Sequence, residues 1–207
     1  MTIRKATKND VEALAHQHEK IFNDFFMASL GTSFLKAYYR TAVDFNETIC
    51  LIAEDDGNKC VGYVFGRIKA RGYLKRLLKN GFFRFALCGV KLLFTRPKAL
   101  MRLVNNLDKK DKKEGVEDSQ EYAEIGLIGV VPEQKGRGIG HQLLYAFEEE
   151  MKRMGANRLS LTTDYYDNEN TLTAYKAWGF SVLYEFTAYP DRRMYRLIKE
   201  VQSLVSR

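Results

Sequence analysis

Two hydrophobic periods alternate along this chain, and their order predicts a layered α/β architecture. Ile3 to Ala6 reads as an opening strand, and Thr7-x-x-Asp10 predicts a helix start ahead of Val11, Leu14 and His18. Thr32 or Ser33 is placed to cap a second helix bearing Phe34, Leu35, Tyr38, Tyr39 and Ala42. Thr48 to Ala53 and Cys60 to Ile68 flank Asp55-Asp56-Gly57-Asn58, which predicts a hairpin. Ala123 to Val131 is apolar and β-branched, as a buried strand is. Ile139, Leu143, Leu144, Phe147, Met151 and Met154 then recur at helical spacing until Gly155. Arg158 to Thr163 alternates like a half-buried strand. A polar turn from Asp164 to Asn170 precedes a short helix with Leu172, Tyr175 and Trp178, closed by Gly179. Val182 to Ala188 and Arg193 to Ile198 surround Tyr189-Pro190-Asp191-Arg192, a second hairpin. The chain shows no internal repeat and no low-complexity linker.

The chemistry concentrates where the strand from Ala123 meets the helix from Ile139. Gly136, Gly138 and Gly140 stand at alternate positions on that turn, where bare backbone N–H groups and a helix dipole can hold a phosphate. Alone, such a turn is as often only a tight connection. It is not a P-loop, because Ile139-Gly140-His141 lacks the terminal Gly-Lys-Ser/Thr. Nor is it a dinucleotide fingerprint, whose third glycine would fall on His141.

Two blocks together resemble the GNAT superfamily of acetyl-CoA-dependent N-acetyltransferases. The family's pyrophosphate motif, Gln/Arg-x-x-Gly-x-Gly/Ala, falls on Lys135-Gly136-Arg137-Gly138-Ile139-Gly140, with Lys135 in place of Gln or Arg. The second block, an Asn, a Tyr seven positions later and then Gly-Phe, matches Asn168, Tyr175 and Gly179-Phe180. The resemblance is specific over Ala123 to Phe180 and consistent in outline elsewhere. It implies a GNAT fold, a mixed and mostly antiparallel central sheet flanked by helices, with acetyl-CoA as co-substrate and no metal.

By the same resemblance, Lys135, Gly136, Arg137, Gly138, Ile139 and Gly140 would hold the pyrophosphate. The exposed edge of Ile128, Gly129 and Val130 would pair with the pantetheine arm, and a backbone N–H near Val130 would polarise the thioester carbonyl. Asn168 would touch the cofactor arm, though Asn also serves turns. Tyr175 is the candidate general acid, since a phenol of pKa about 10 is protonated at neutral pH. Glu124 occupies the strand position of a catalytic glutamate in some members, Asp164 is its rival, and ordered water is a third route. His16, His18 and His141 form no metal constellation.

Composition bounds the rest. At 207 residues one domain, 1–207, is expected, and three widely spaced cysteines without a Cys-x-x-Cys pair read as reduced thiols in a cytoplasmic protein. The N-terminus lacks an apolar leader, and no stretch approaches 18 uncharged apolar residues. Charge is uneven: Gly57 to Leu107 holds twelve Lys or Arg and no acid, so removing these twelve from +7 leaves −5 for the remainder. Overlapping that stretch, a basic helical insertion is expected over about 69–120, between the third and fourth strands. Its helices should lie around Gly72 to Lys79, Phe82 to Phe94 and from Pro97, before a mixed-charge loop to about Glu121. Phe82, Phe83, Phe85, Leu92, Leu93 and Phe94 interleave with its cations, and most of them are expected to pack on the domain. The basic stretch is either a solvated face or the docking site of an anionic acceptor or membrane surface. Nucleic acid is disfavoured, because no recognised module accompanies the charge. Oligomeric state is not legible. Acetyl transfer to the primary amine of a small acceptor, such as an amino sugar, is the leading reading; a non-catalytic CoA-binding module docking through the insertion is the second.

Overall fold

In the computed structural model, residues 1–23, 25–108, 112–113, 118–188 and 191–202 are described, side chains excepted at 104–108 and 112–113. The strands are β1 (Thr2–Lys5), β2 (Thr48–Glu54), β3 (Cys60–Arg67), β4 (Lys112–Lys113), β5 (Ala123–Val130), β6 (Arg158–Asp164), β7 (Ser181–Ala188) and β8 (Arg192–Glu200). They form one sheet in the order β1-β2-β3-β5-β6-β8-β7-β4. Among the described residues, only β5 and β6 pair in parallel; every other pair is antiparallel.

Helices cover both faces, so β2 and β3 are buried almost throughout. On one face lies α7 (Ile139–Arg153), whose Ile139, Leu143, Phe147 and Met151 pack on Val64, Ile125, Leu159 and Leu197. On the other lie α1 (Val11–Ile21), α2 (Phe26–Ser29) and α3 (Thr32–Ala42), packed on Ile52, Tyr63 and Phe65. Their buried side chains follow the 3.6-residue stripe that the sequence shows. The expected helix start is realised as a capping box on a 3-10 turn, Lys8–Asp10, that leads into α1: Thr7 N–H donates to Asp10 Oδ2 at 2.7 Å, and Thr7 Oγ1 accepts from Asn9 N–H. The expected cap of α3 is corrected. Gly31 holds the N-cap position, and Thr32 Oγ1 instead donates to Glu19 Oε1 at 2.6 Å.

Between β3 and β5 run α4 (Tyr73–Asn80), α5 (Phe82–Thr95) and α6 (Pro97–Asp108). Tyr73, Leu77 and Leu92 join the core on the α1–α3 side, and Phe85 packs on Phe34 with ring centroids 6.0 Å apart. The expectation that most apolar residues of α5 pack on the domain is corrected, because Phe82, Phe83, Leu93 and Phe94 are exposed. The mixed-charge run lies mostly outside the described residues. Within it, Lys112–Lys113 pairs with Phe186 and Thr187 as the short edge strand β4 rather than loop. The tip of the second hairpin, at 189–190, also lies outside the described residues.

Candidate active site

The sheet opens at β5. Its pairing with β6 covers Ala123 to Ile125 against Leu159 to Leu161 and goes no further. On the other edge, the register with β3 slips between Phe65 and Gly66, which leaves Gly126 as a bulge. A bulge bends its strand, so Leu127 to Val130 stay on β3 while departing from β6. Their outer edge is left with backbone groups that β6 does not use. Gly129 suits this end for a steric reason: a Cβ there would come within 2.6 Å of Ile21 Cγ2 and 2.9 Å of Phe22 Cζ. The end of α1 therefore sits directly on the strand.

The parting of β5 and β6 forms a cleft of about 180 Å³. Ile125 to Ile128 make one wall, Leu161 to Asp164 the opposite one, and Tyr175 adds to the lining. Phe22, Phe25, Arg192 and Met194 close it from the α1–α2 and hairpin sides, and no motif in the sequence marks them. Arg192 joins these parts, with two hydrogen bonds to the Asp164 carboxylate and its guanidinium 4.8 Å from the Phe25 ring centroid. A larger hollow of about 690 Å³ opens at the other end of β5 and β6, lined among others by Lys69, Glu121 and Arg158. It holds none of the motif residues.

The glycine turn leads out of β5. After Val131 and a 3-10 turn at Pro132–Gln134, Gly136 and Gly138 adopt φ of +80° and +75°, a region costly for any residue with a Cβ. Gly138 is the N-cap of α7, so the first N–H groups of the helix lack intrahelical partners. A Cβ built at Gly136 or Gly138 would meet nothing within 4 Å. Lys135, Gly136, Arg137 and Gly138 are exposed, and Ile139 turns inward as the first anchor of the helix. Exposed backbone donors, a helix N-terminus and two cations fit a pyrophosphate. Gly140 lies inside the first turn of α7, beside Val130.

Tyr175 is carried by α8 (Glu169–Ala177). That helix is anchored by Trp178, whose indole N–H donates to Glu148 Oε2 on α7 at 3.0 Å. Lys199 on β8 donates to the same oxygen at 2.6 Å, which ties helix, helix and sheet together. Tyr175 packs on Phe180 with centroids 5.9 Å apart, and burial raises its hydroxyl above the ordinary phenol range. Asn168 takes the other end of α8. Its Nδ2 donates to Thr163 Oγ1 at 2.5 Å and to the Asp164 carbonyl at 2.9 Å, which pins the helix start to the end of β6.

Glu124 sits elsewhere. It lies where β5 still pairs on both sides, 6% exposed and outside the cleft lining. Arg67, opposite it on β3, and Arg196 on β8 both donate to its carboxylate. Burial alone would raise its pKa, but the two guanidiniums outweigh burial and hold it below the usual carboxylate range. Geometry thus separates the two candidate carboxylates: Asp164 faces the cleft, and Glu124 is enclosed by cations.

Among known proteins, a mycothiol acetyltransferase from Corynebacterium aurimucosum is 33% identical over 69 residues. Those residues are 33% of this chain and 22% of that protein. A crystal structure described as an acetyltransferase superposes with a TM-score of 0.65 at 21% identity, covering 98% of this chain and 100% of that one. The PaiA N-acetyltransferase from Thermoplasma acidophilum, solved in complex with coenzyme A, gives 0.57 at 14% identity, covering 97% and 98%. At these identities the two structures establish a shared fold. The family model of the acetyltransferase (GNAT) family matches residues 15–180, most of the chain and both motif blocks, and the protein therefore belongs to that family.

Proposed function

We propose that the protein transfers the acetyl group of acetyl-CoA to a primary amine of a small acceptor in the cleft between β5 and β6. The observation that carries this reading is the continuity of three features. An open glycine turn leads into α7, an unpaired strand edge runs from Leu127 to Val130, and Tyr175 lines the cleft that this edge borders. Bound acetyl-CoA would supply the thioester. Lys135 to Gly140 would hold its pyrophosphate, and Ile128, Gly129 and Val130 would hold its arm through backbone groups.

Tyr175 would keep its proton at neutral pH and deliver it from Oη to the departing thiolate. The direction of its shift supports that role, because a raised pKa leaves the phenol fully protonated. Glu124 is poorly suited as the base, since a carboxylate held between two guanidiniums gains little by taking a proton. Asp164 is better placed, though its bonds to Arg192 occupy both oxygens, so we assign amine deprotonation to water at the cleft mouth. An amino sugar is the acceptor class we favour. The acid-free stretch from Gly57 to Leu107 favours acceptors that carry phosphate.

The test is thiol release from acetyl-CoA with a panel of amino sugars, polyamines and amino acids. Amine-dependent release that Tyr175→Phe removes is the expected result. Tight coenzyme A binding in calorimetry without release for any amine would favour the non-catalytic module instead.

A further inference from the structure

On α5, Phe83, Leu87, Val90 and Phe94 follow at intervals of four, three and four residues, which puts them on one stripe of the helix. They are 82%, 73%, 59% and 82% exposed. Phe82 and Leu93, also exposed, widen the stripe on one side, and Arg84 and Lys91 lie about a quarter turn away on the other. The opposite face of the same helix, Phe85 and Leu92, meets the α1–α3 core. The helix is thus fixed to the domain by one face and presents an apolar ridge by the other.

We propose that α5 docks on the surface of an anionic lipid bilayer, with Phe83, Leu87, Val90 and Phe94 among the upper acyl chains and the neighbouring cations at the headgroups. Charge selects this occupant. The stretch from Gly57 to Leu107 contains twelve Lys or Arg and no Asp or Glu; with Arg67 paired to Glu124 and Arg76 to Glu47, its remaining excess is still positive, so a second copy docking by the same face would bring like charges together. The chain's own segment 109–117 offers one apolar side chain, Val116, against the six of the ridge. Fourteen residues are too few to cross a hydrocarbon core, which needs about 20, so the helix lies in the interface. The ridge lies apart from the acetyltransferase site, because none of its apolar residues lines the cleft or the glycine turn.

The experiment is vesicle flotation of the full chain with phosphatidylcholine alone and with added phosphatidylglycerol. Binding is expected only to the anionic vesicles. It should fade as salt rises from about 0.1 M to about 1 M, where the screening length falls from about 10 Å to about 3 Å. The variant Phe83→Ser/Leu87→Ser/Phe94→Ser should weaken vesicle binding about tenfold or more, and Lys75→Gln/Lys79→Gln/Arg84→Gln should weaken it at low salt and flatten its dependence on salt. Both should keep wild-type acetyl-CoA affinity and melting temperature. Equal binding to neutral vesicles, or full binding by the serine variant, overturns the proposal. So does a concentration-dependent dimer that the serine substitutions abolish while vesicles float without protein.

Discussion

The two ends of β5 do opposite things with the same strand. From Ala123 to Ile125 it is paired on both edges, and its one charged side chain, Glu124, is neutralised by Arg67 and Arg196. From Leu127 to Val130 it is paired with β3 alone, and the path continues into a turn whose glycines expose backbone. One bulge at Gly126 separates the regimes. A closed end fixes the sheet so that an open end can present polar backbone groups without unravelling. In this chain, polar atoms toward the start of the strand hold the fold on both edges, and those toward its end are left unpaired on the β6 side.

The sharpest way to break this contrast is at the closed end. Glu124→Gln leaves the buried Arg196 and the part-buried Arg67 without a counter-charge, which should cost about 3–5 kcal/mol of stability. Urea unfolding would show the loss, while turnover per folded molecule should change less than tenfold. A large fall in turnover at unchanged stability would restore Glu124 as the base.

The next effect belongs to the open end. Tyr175→Phe removes one hydroxyl and keeps the ring on Phe180, so packing should survive. If the phenol protonates the leaving thiolate, turnover should fall about 10²-fold with acetyl-CoA affinity nearly intact. Turnover equal to wild type under conditions where chemistry limits the rate would make Tyr175 a packing residue.

Acid should separate the two ends. Behind the open end, Tyr63 pairs with Gly129, and its hydroxyl meets Tyr39 Oη at 2.8 Å and His18 Nδ1 at 3.2 Å. His18 is fully buried, and burial lowers its pKa to about 4. Because the unfolded value is about 6.5, the stability from keeping His18 neutral is present above pH 6.5 and lost as pH falls toward 4. Glu124 stays charged over that window, since its pKa is lowered. Denaturant unfolding at pH 7 and pH 5 should differ by about 2 kcal/mol on account of His18, and His18→Gln should shrink that difference. An equal difference in both proteins would place the acid sensitivity elsewhere.

Sequence revealed these regions unequally, for physical reasons. The glycine turn was legible because backbone conformation restricts which residues can stand there, whereas the Asn168–Tyr175 spacing was read only through family resemblance. The parting of β5 and β6 was legible only through family resemblance, since a bulge at Gly126 leaves no periodic mark in an apolar strand. The clamp of Arg192 on Asp164 and Phe25 joins residues far apart in sequence, and nothing local announces it. The exposed ridge of α5 ran against expectation. Periodicity shows that a helix has apolar faces, but which face the fold covers depends on neighbours it meets only in space.

The smallest effect probes the turn itself. Gly138→Ala adds one methyl group where there is open space, so any effect must come from conformation rather than contact. At φ of +75° an alanine costs on the order of 1 kcal/mol. The turn can relieve that strain only by leaving the geometry that points its N–H groups outward. Calorimetry should therefore show acetyl-CoA binding weakened about tenfold, the factor that corresponds to about 1.4 kcal/mol. Gly89→Ala is the matched control: it also adds a methyl group to open space, but within helix α5, where alanine is favoured. It should leave affinity unchanged and raise the melting temperature slightly. If the two alanines behave alike, the glycines of the turn are not what holds the pyrophosphate, and the open end of β5 loses its assigned role.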